Sequence, residues 1–235
     1  MTNINPIICP IRNGLSLTLS AHRTFMAQDI PIEILYINNA STDGTTEWLN
    51  KMDTFAIHHT TPKSVAASWN EGLDYWFSQG AAHCLVVNND VLLRPDTYRC
   101  LRLNGGGFVT AVGNDDPECV RNLTPPMVPP RGNPDFSCFL IRREVWDKVG
   151  PFDEQFAGAF CEDWDYHCRM HKAGIKAICI DIPFYHVGSG SVKLLRAEDM
   201  QRVQAQAARN REYFREKWGF EGASDAYYAF FAEAP

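Results

Sequence analysis

The sequence has no long apolar run. No stretch of its 235 residues approaches the roughly 18 consecutive apolar residues of a membrane-spanning helix, and residues 1–6 lack the basic and apolar segments of a secretion signal. Basic residues are also in the minority, with 22 Lys and Arg against 28 Asp and Glu, so the chain as a whole is not suited to binding polyanions. From these absences we expect a cytoplasmic protein without a transmembrane segment.

The sequence also has no Cys-x-x-Cys pair among its eight cysteines, which makes a zinc ribbon or a dithiol redox centre a weak interpretation. Four of them lie in apolar runs typical of strands, where a free thiol packs as a small hydrophobic group: Cys9, Cys84, Cys138 and Cys179. Because a secretion signal is missing, we expect reduced thiols rather than disulfides.

Short apolar runs alternate with stretches of helical periodicity along the first half of the chain. This alternation predicts right-handed βαβ units, and therefore an α/β fold with a mostly parallel sheet flanked by helices. The predicted strands are 6–9, 32–37, 55–59, 84–87, 108–112, 136–142 and 175–180, and the predicted helices are 15–28, 45–52, 64–79, 144–149, 162–173 and 197–218. Residues 113–134, rich in Pro, Asn and Gly, predict a surface loop or a lid.

The predicted last helix, 197–218, is amphipathic. Met200, Val203, Phe214 and Trp218 fall on one stripe, which we expect to pack on the rest of the protein with the arginines outward. The basic residues of this region outnumber the acidic ones. Two interpretations stay open, a solvated face and a surface for an anionic partner such as acceptor phosphate, nucleic acid or an anionic membrane.

The ends of two predicted strands carry amide and carboxylate side chains. The run 84–87 ends in Asn88, Asn89 and Asp90, and the run 32–37 ends in Asn38 and Asn39. In an open α/β sheet, ligands bind outside the carboxyl ends of the strands, and such side chains suit a divalent cation and a sugar nucleotide. The same residue types also form turns, so the pattern alone is weak.

Later segments supply a context for these strand ends. Taken in this order over roughly residues 4–192, the segments resemble the inverting family 2 glycosyltransferases, which have the GT-A fold. The later segments are Gly150-Pro151-Phe152-Asp153-Glu154, Glu162-Asp163-Trp164-Asp165, Arg169, Gly174 and His186. The resemblance implies a GT-A-like nucleotide-sugar-binding fold in one glycosyltransferase domain, 1–235. About 1–112 would bind the donor, and about 113–235, with the C-terminal helix, the acceptor.

The resemblance implies a nucleotide-sugar donor at the strand ends. The family has an acid at the end of the second strand, where this chain has Asn38, whose amide both donates and accepts hydrogen bonds. Arg12, after the first strand in the family's nucleotide loop, is a departure that could contact phosphate. The predicted donor-binding residues are Pro10, Arg12, Asn38, Asn39, Ser41, Asp43, Asn70, Asn88, Asn89, Ser191 and Lys193. Loop capping and turn formation are the alternative for these residues.

The resemblance also implies a divalent metal ion. Asp90 matches the metal-binding end of the family's aspartate motif, Asn88 occupies its first position, and His186 matches a histidine that can complete the site. A mixed oxygen and nitrogen site suits Mn²⁺ or Mg²⁺, whose charge would stabilise the departing diphosphate. The alternative for His186 is a partly buried histidine bonded to backbone.

A second metal interpretation concerns the predicted helix 162–173. His167 and His171 have a chelating spacing, with Cys161 and Cys168 nearby. However, no Glu follows His167 as in the zinc-protease motif, and no second ligand cluster completes a site. Zinc is therefore the weaker interpretation.

Glu162 and Asp163 match the family's acidic pair, in which the Asp is the catalytic base. The resemblance thus implies that Asp163 takes the proton of an acceptor hydroxyl in a single displacement. Glu162, Trp164 and Asp165 would bind or orient the acceptor. The alternatives are a solvated acidic first turn at a helix N-terminus, an Asp165–Arg169 ion pair at i,i+4 spacing, and plain packing of Trp164.

The prediction from the whole sequence is a metal-dependent inverting glycosyltransferase that acts on an acceptor hydroxyl, most simply of a saccharide. One alternative acceptor is a modified nucleic-acid base, which the basic last helix allows and the overall acidity opposes. Another alternative is a non-catalytic module that binds a sugar nucleotide or a glycan, since a fold does not fix a function. The acidic pair and the Asp90/His186 combination argue against this last alternative.

Overall fold

The computed structural model describes residues 4–52, 54–121, 134–188 and 197–232. Its eight strands are β1 Pro6–Ile11, β2 Glu33–Asn39, β3 Phe55–His59, β4 His83–Val87, β5 Val91–Leu92, β6 Phe108–Asn114, β7 Cys138–Arg142 and β8 Ala177–His186. They form one sheet in the order β3-β2-β1-β4-β7-β6-β8-β5. The sheet therefore runs without interruption through the predicted donor and acceptor halves.

Parallel pairing dominates the sheet. The pairs β1–β2, β2–β3, β1–β4 and β6–β8 are parallel, whereas β4–β7, β6–β7 and β5–β8 are antiparallel. The α/β prediction with a mostly parallel sheet is confirmed. Both neighbours of β7 run antiparallel to it, so β6 and β8 run in the same direction as β1 to β4. The carboxyl ends of β1 to β4, β6 and β8 therefore lie at one side of the sheet, together with the amino ends of β5 and β7. We call this side the carboxyl edge.

Helices cover both faces of the sheet. They are α1 Leu15–Met26, α2 Thr45–Lys51, α3 Val65–Ser78, α4 Thr97–Leu103, α5 Arg143–Val149, α6 Glu162–Lys172, α7 Ala197–Trp218 and α8 Asp225–Phe230. Alternate residues of β4 point into two separate cores, since Cys84 and Val86 belong to one buried cluster and Leu85 and Val87 to the other. The burial of β4 on both faces explains why its sequence is an uninterrupted apolar run.

The C-terminal helix α7 packs as its periodicity predicted. Phe214 is fully buried, Met200, Val203 and Trp218 are partly buried, and the arginines are exposed. Phe214 belongs to a third cluster that also contains Tyr227 of α8. In the described part of the chain, no helix has the length and apolarity to cross a membrane.

Several boundaries differ from the predictions. Pro10 lies inside β1, opposite Ile37, rather than after the strand. The predicted strand 175–180 continues to His186, because a register shift between Thr110 and Val112 of β6 lets β8 accommodate Pro183. Ser64 caps α3 as predicted, accepting the Ala67 N–H at 3.1 Å.

Candidate active site

The carboxyl edge brings Asp90 and His186 together. Asp90 follows β4 and precedes Val91, which pairs with His186 at the end of β8. As a result, His186 Nε2 lies 3.4 Å from Asp90 Oδ1. The Val187 N–H also donates to the Asp90 carbonyl at 3.1 Å, which ties the two strand ends together. The pair predicted from the sequence to hold metal is thus assembled from distant segments.

The chemistry of this pair fits a divalent ion. Two ligand atoms about 2.1 Å from one octahedral ion lie about 3 Å apart, close to the separation of the Asp90 and His186 atoms. Over the residues that the structure describes, no three His, Cys, Asp or Glu side chains converge on one point. Two protein ligands would leave coordination positions for phosphate oxygens and water, as is usual for Mg²⁺ and Mn²⁺.

Asn38, predicted at the donor, lies under the loop that follows β2. Its side chain is 1% exposed. Nδ2 donates to Thr46 Oγ1 at 2.8 Å and lies 3.0 Å from His58 Nδ1, while Oδ1 accepts the Ser41 N–H at 3.2 Å. These bonds favour the loop-capping alternative, and direct contact of Asn38 with a donor stays a prediction.

A cavity of about 440 Å³ opens beside the ends of β1 and β3. The loop that carries Lys63 is fixed by Asn39, which accepts the Lys63 N–H at 2.7 Å and donates to its carbonyl at 2.9 Å. Two exposed cations, Arg12 and Lys63, line the cavity. Its lining includes Arg12, Pro62, Lys63, Ser64, Glu154 and Gly158.

Ser41 and Asp43 join the loops after β1 and β2. Ser41 Oγ accepts the Asn13 N–H at 2.9 Å, and Asp43 accepts the N–H of Leu15 at 2.8 Å and the hydroxyl of Thr45 at 2.6 Å. Leu15 and Thr45 begin α1 and α2, so one carboxylate caps two helices. Burial acts to raise the pKa of Asp43, but these hydrogen bonds hold it below its ordinary value.

The remaining amides mostly support backbone. Asn70 donates to the Phe152 carbonyl at 2.9 Å and accepts the Phe152 N–H at 2.8 Å, which fastens α3 to the loop before α6. Asn89 donates to the Asn13 carbonyl at 3.2 Å. Asn88 is half-buried at the carboxyl edge. Ser191 and Lys193, also predicted to bind the donor, lie outside the described residues.

The acidic pair begins α6. Glu162 is buried, and Asp163 is half-buried. Burial raises the pKa of Glu162, and the charge of Asp163 raises it further. Burial also raises the pKa of Asp163 against the opposing hydrogen bond from the Trp164 N–H, and the charge of Asp135 adds to the increase. A raised pKa strengthens Asp163 as a proton acceptor near neutral pH.

Asp135 is a site residue that the sequence reasoning missed. It precedes β7 at the carboxyl edge, where its Oδ1 accepts the Ser137 N–H at 2.9 Å. Its position directly before the apolar run 136–142 is the available signal, because the amino end of an antiparallel strand lies beside the carboxyl ends of its neighbours. The strand direction could not be read from the run alone.

Asp165 and Trp164 have structural partners. Asp165 is fully buried and accepts from Trp218 Nε1 at 2.9 Å and Lys217 Nζ at 2.8 Å, with Arg169 at 3.8 Å. The Trp164 ring packs on Phe214 with centroids 5.8 Å apart. These contacts confirm the i,i+4 ion pair and favour packing for Trp164, while acceptor binding by either residue stays a prediction.

His167 and His171 face aromatic rings rather than a metal cluster. His167 Nδ1 lies 2.9 Å from the Tyr227 hydroxyl, and its ring stacks on Phe231 at 3.9 Å. Burial lowers the pKa of His167 to about 4, and the charge of His171 acts in the same direction. His167 is therefore a core histidine, and its contacts give no support to a zinc site.

Comparison with known proteins identifies the class. Residues 7–101, from β1 into α4, match the family described as "Glycosyl transferase family 2". No curated protein matches the chain. A mannosyltransferase, PcManGT from Pyrobaculum calidifontis, in complex with GDP-Man and Mn²⁺, is similar in structure, with a TM-score of 0.60 at 15% identity over 98% of this chain and 78% of that one.

Two other solved structures are similar. S. aureus TarS 1–349 in complex with UDP-GlcNAc has a TM-score of 0.60 at 13% identity, over 98% of this chain and 78% of that one. GalNAc-T7 with UDP, GalNAc and Mn²⁺ has a TM-score of 0.58 at 11% identity, over 78% of this chain and 43% of that one. The sheet and these similarities define the GT-A fold.

A chain with this fold and this family segment is a glycosyltransferase. The match of residues 7–101 and the GT-A fold agree with the family 2 glycosyltransferases that its motifs resemble.

Proposed function

We propose that this glycosyltransferase is metal-dependent and inverting, and that it moves a sugar from a nucleotide-sugar donor to a hydroxyl of a saccharide acceptor. The observation that carries the proposal is the approach of His186 to Asp90 within 3.4 Å at the carboxyl edge. The ligands named for the similar structures, GDP-Man with Mn²⁺ and UDP-GlcNAc, support the same donor class.

The metal site of the proposal consists of Asp90 and His186, from the ends of β4 and β8. When bound, Mn²⁺ or Mg²⁺ supplies positive charge against the diphosphate that leaves. Asp90 lies in the turn directly before β5, and His186 ends β8. Because Val91 of β5 pairs with His186, backbone pairing fixes the two side chains beside each other. Their number and spacing suit an ion that shares its remaining positions with phosphate.

The donor is proposed to lie along the carboxyl edge from the cavity to Asp90. Arg12 and Lys63 give the cavity positive charge, and Asn39 fixes the backbone that presents Lys63. Asn38, Ser41, Asp43 and Asn89 act through the loops that they hold, and Pro10 acts through its place in β1, directly before Ile11 and Arg12. Charge-assisted bonds from Arg and Lys to phosphate are among the stronger hydrogen bonds in proteins.

Asp163 is the proposed base. The acceptor oxygen forms a bond to the anomeric carbon, the bond from that carbon to the diphosphate oxygen breaks, and the hydroxyl proton passes to Asp163. The half-exposed position and raised pKa of Asp163 suit this role. Glu162, buried beside it, would orient the pair. A single displacement of this kind inverts the anomeric configuration.

The arginines of α7 give little support to a nucleic-acid acceptor. Arg202 pairs with Asp199 at 3.4 Å, and Arg215 pairs with Glu212. Such pairs on an exposed helix reduce the positive charge available for phosphates. The saccharide hydroxyl is therefore the acceptor class that we favour.

The test combines binding with turnover. Thermal shift with GDP-mannose and UDP-N-acetylglucosamine, with and without Mn²⁺, should show stabilisation that requires both donor and metal. Donor hydrolysis should then require Asp163, whereas Asp199→Asn, an exposed control on α7, should hydrolyse normally. Metal-dependent donor binding without any hydrolysis or transfer would favour the non-catalytic module.

A further inference from the structure

The loop directly before the acidic pair Glu162 and Asp163 has an unusual backbone conformation. Phe160 and Cys161 have φ angles of 82° and 76°. The left-handed region is unfavourable for residues that carry a Cβ, so two in succession persist only where other contacts hold them. The first turn of α6 continues from this conformation, since the Asp165 N–H donates to the Cys161 carbonyl at 3.0 Å. Whatever holds residues 160–161 therefore sets the direction in which Glu162 and Asp163 emerge.

One side chain of α7 holds this loop. Asn210 is 2% exposed, and its Nδ2 donates to the carbonyls of Ala157 at 3.0 Å, Ala159 at 2.9 Å and Phe160 at 3.0 Å. An amide has two N–H hydrogens, so one of them is shared between two carbonyls. Gln206 donates to Asn210 Oδ1 at 2.9 Å and thereby orients the amide. The buried amide is fully engaged in holding the loop.

The same loop also borders the cavity that we assign to the donor. Ala157 and Gly158 line that cavity, and the Gly158 carbonyl accepts the Val65 N–H at 2.7 Å at the start of α3. The loop 157–161 thus connects the cavity wall to the acidic pair. A change in its conformation would alter the position of Asp163 relative to a bound donor.

We infer that Asn210 is a positioning residue for glycosyl transfer. It stabilises the left-handed conformation at residues 160–161 and so sets the position of Asp163 relative to the donor cavity. This inference rests on the proposed function, because it assumes that Asp163 takes the acceptor proton. Asn210 itself touches backbone, and we assign it no contact with substrate.

The first test separates positioning from folding. With GDP-mannose or UDP-N-acetylglucosamine and Mn²⁺, Asn210→Ala should lower kcat for donor hydrolysis by about 10- to 100-fold, because small misplacements of a reacting group have effects of this size. The donor KM should change much less, since most of the cavity lining comes from other segments. Tyr213→Phe, which removes another hydrogen bond of α7, is the matched control and should retain kcat. Equal kcat in Asn210→Ala and wild type, or equal losses in both variants, would overturn the inference.

The second test is a rescue. Glycine adopts positive φ without a Cβ penalty, so Phe160→Gly should restore about half of the lost activity, on a logarithmic scale, in the Asn210→Ala background. Hydrolysis uses water as acceptor, so the measured rate does not include any effect of the Phe160 ring on the binding of a saccharide acceptor. No recovery in the double variant would show that the loop conformation is not what Asn210 supplies.

The third test needs no substrate. Cys161 is 2% exposed, and burial raises the pKa of its thiol to about 12, so labelling by N-ethylmaleimide should be slow in the wild type. In Asn210→Ala, Cys161 should label about tenfold faster or more because the loop opens locally, while Cys138 in β7 should not change. Unchanged Cys161 labelling overturns the inference, whereas a wild type that binds donor with metal but neither hydrolyses it nor transfers its sugar overturns the proposed function.

Discussion

His186 Nε2 lies 3.4 Å from Asp90 Oδ1, and the pairing of Val91 with His186 holds this contact between the ends of β4 and β8. We expect Asp90→Ala to abolish most turnover, because a bound ion contributes several kcal/mol of leaving-group stabilisation. His186→Ala should weaken Mn²⁺ binding in the presence of GDP or UDP, as measured by calorimetric titration. The exposed Asp147→Asn on α5 is the control. Full activity in excess chelator would contradict metal dependence.

Removal of the Asp163 carboxylate should abolish transfer without unfolding the protein. Asp163→Asn is nearly isosteric and cannot accept a proton, so kcat should fall by about 10²–10⁴-fold. Donor binding, followed by thermal shift, should persist. Near-normal turnover would move the base to Glu162 or Asp135. The product provides an independent check, because a retained anomeric configuration, seen by NMR, is incompatible with a single displacement.

The activity of the enzyme should fall on acidification at a higher pH than an ordinary aspartate would give. The base must be deprotonated to act, and burial raises the pKa of Asp163. The acidic limb of kcat/KM should therefore lie above the usual aspartate pKa of about 3.9. Asp135→Asn removes a charge that contributes to this shift and should move the limb to lower pH. An unchanged profile in that variant would show that Asp135 does not act on Asp163.

Glu162 should make the fold less stable as the pH rises. Its folded pKa is raised by burial and by Asp163, so the folded state binds the proton more tightly than the unfolded state. The stability that protonation provides is present below the unfolded pKa of about 4.3 and is lost as the pH rises through the folded pKa. Glu162→Gln should weaken this dependence, measured as Tm against pH. Parallel Tm profiles for both proteins would contradict the assignment.

Most of the strands and the mostly parallel sheet could be predicted from the sequence because local patterns dictate them, whereas the strand order could not. A fully buried strand such as β4 is an unbroken apolar run, and its polar end identifies the edge where ligands bind. By contrast, β5 has two residues and exists only through its pairing with β8. The helices α4 and α8 were also missed, since tertiary packing stabilises such short helices more than their own periodicity does.

The site was predicted in outline but not in its hydrogen bonds. The sequence indicates that Asn38, Asn70 and Asp165 stand near the site, but their partners come from distant segments that no local pattern reveals. The role of Asn210 could not be predicted from the sequence for the same reason. In the sequence it is a polar residue in an amphipathic helix, and its three carbonyl partners become apparent only when α7 is placed against the loop before α6.

Arg12 should contribute to donor affinity through phosphate. It lines the proposed donor cavity together with Lys63, and a charged hydrogen bond lost from Arg12→Gln should weaken UDP binding by about 10-fold or more. The salt dependence of UDP affinity should also decrease. Arg23→Gln, exposed on α1, serves as the control. Uridine lacks phosphate, so its affinity should not change, and an equal loss for uridine would place Arg12 at the base or ribose instead.

Lys217 should stabilise the contact between α7 and α6. Its ammonium lies 2.8 Å from the buried Asp165 and 2.6 Å from Asp153. Lys217→Met leaves both carboxylates without this partner and should cost about 1–3 kcal/mol of unfolding free energy in urea titrations. Lys148→Met, exposed on α5, should cost little.

The Lys217 contact also predicts a pH dependence. Burial acts to raise the pKa of Asp153, but the hydrogen bond from Lys217 helps to lower it below its ordinary value. The resulting stability is present above the unfolded aspartate pKa of about 3.9 and is lost as the pH falls through the folded pKa. The difference in unfolding free energy between wild type and Lys217→Met should therefore shrink on acidification. A difference that stays constant to low pH would show that Lys217 acts through its ammonium over the rings of Phe156 and Tyr213, 5.7 Å from each centroid, rather than through Asp153.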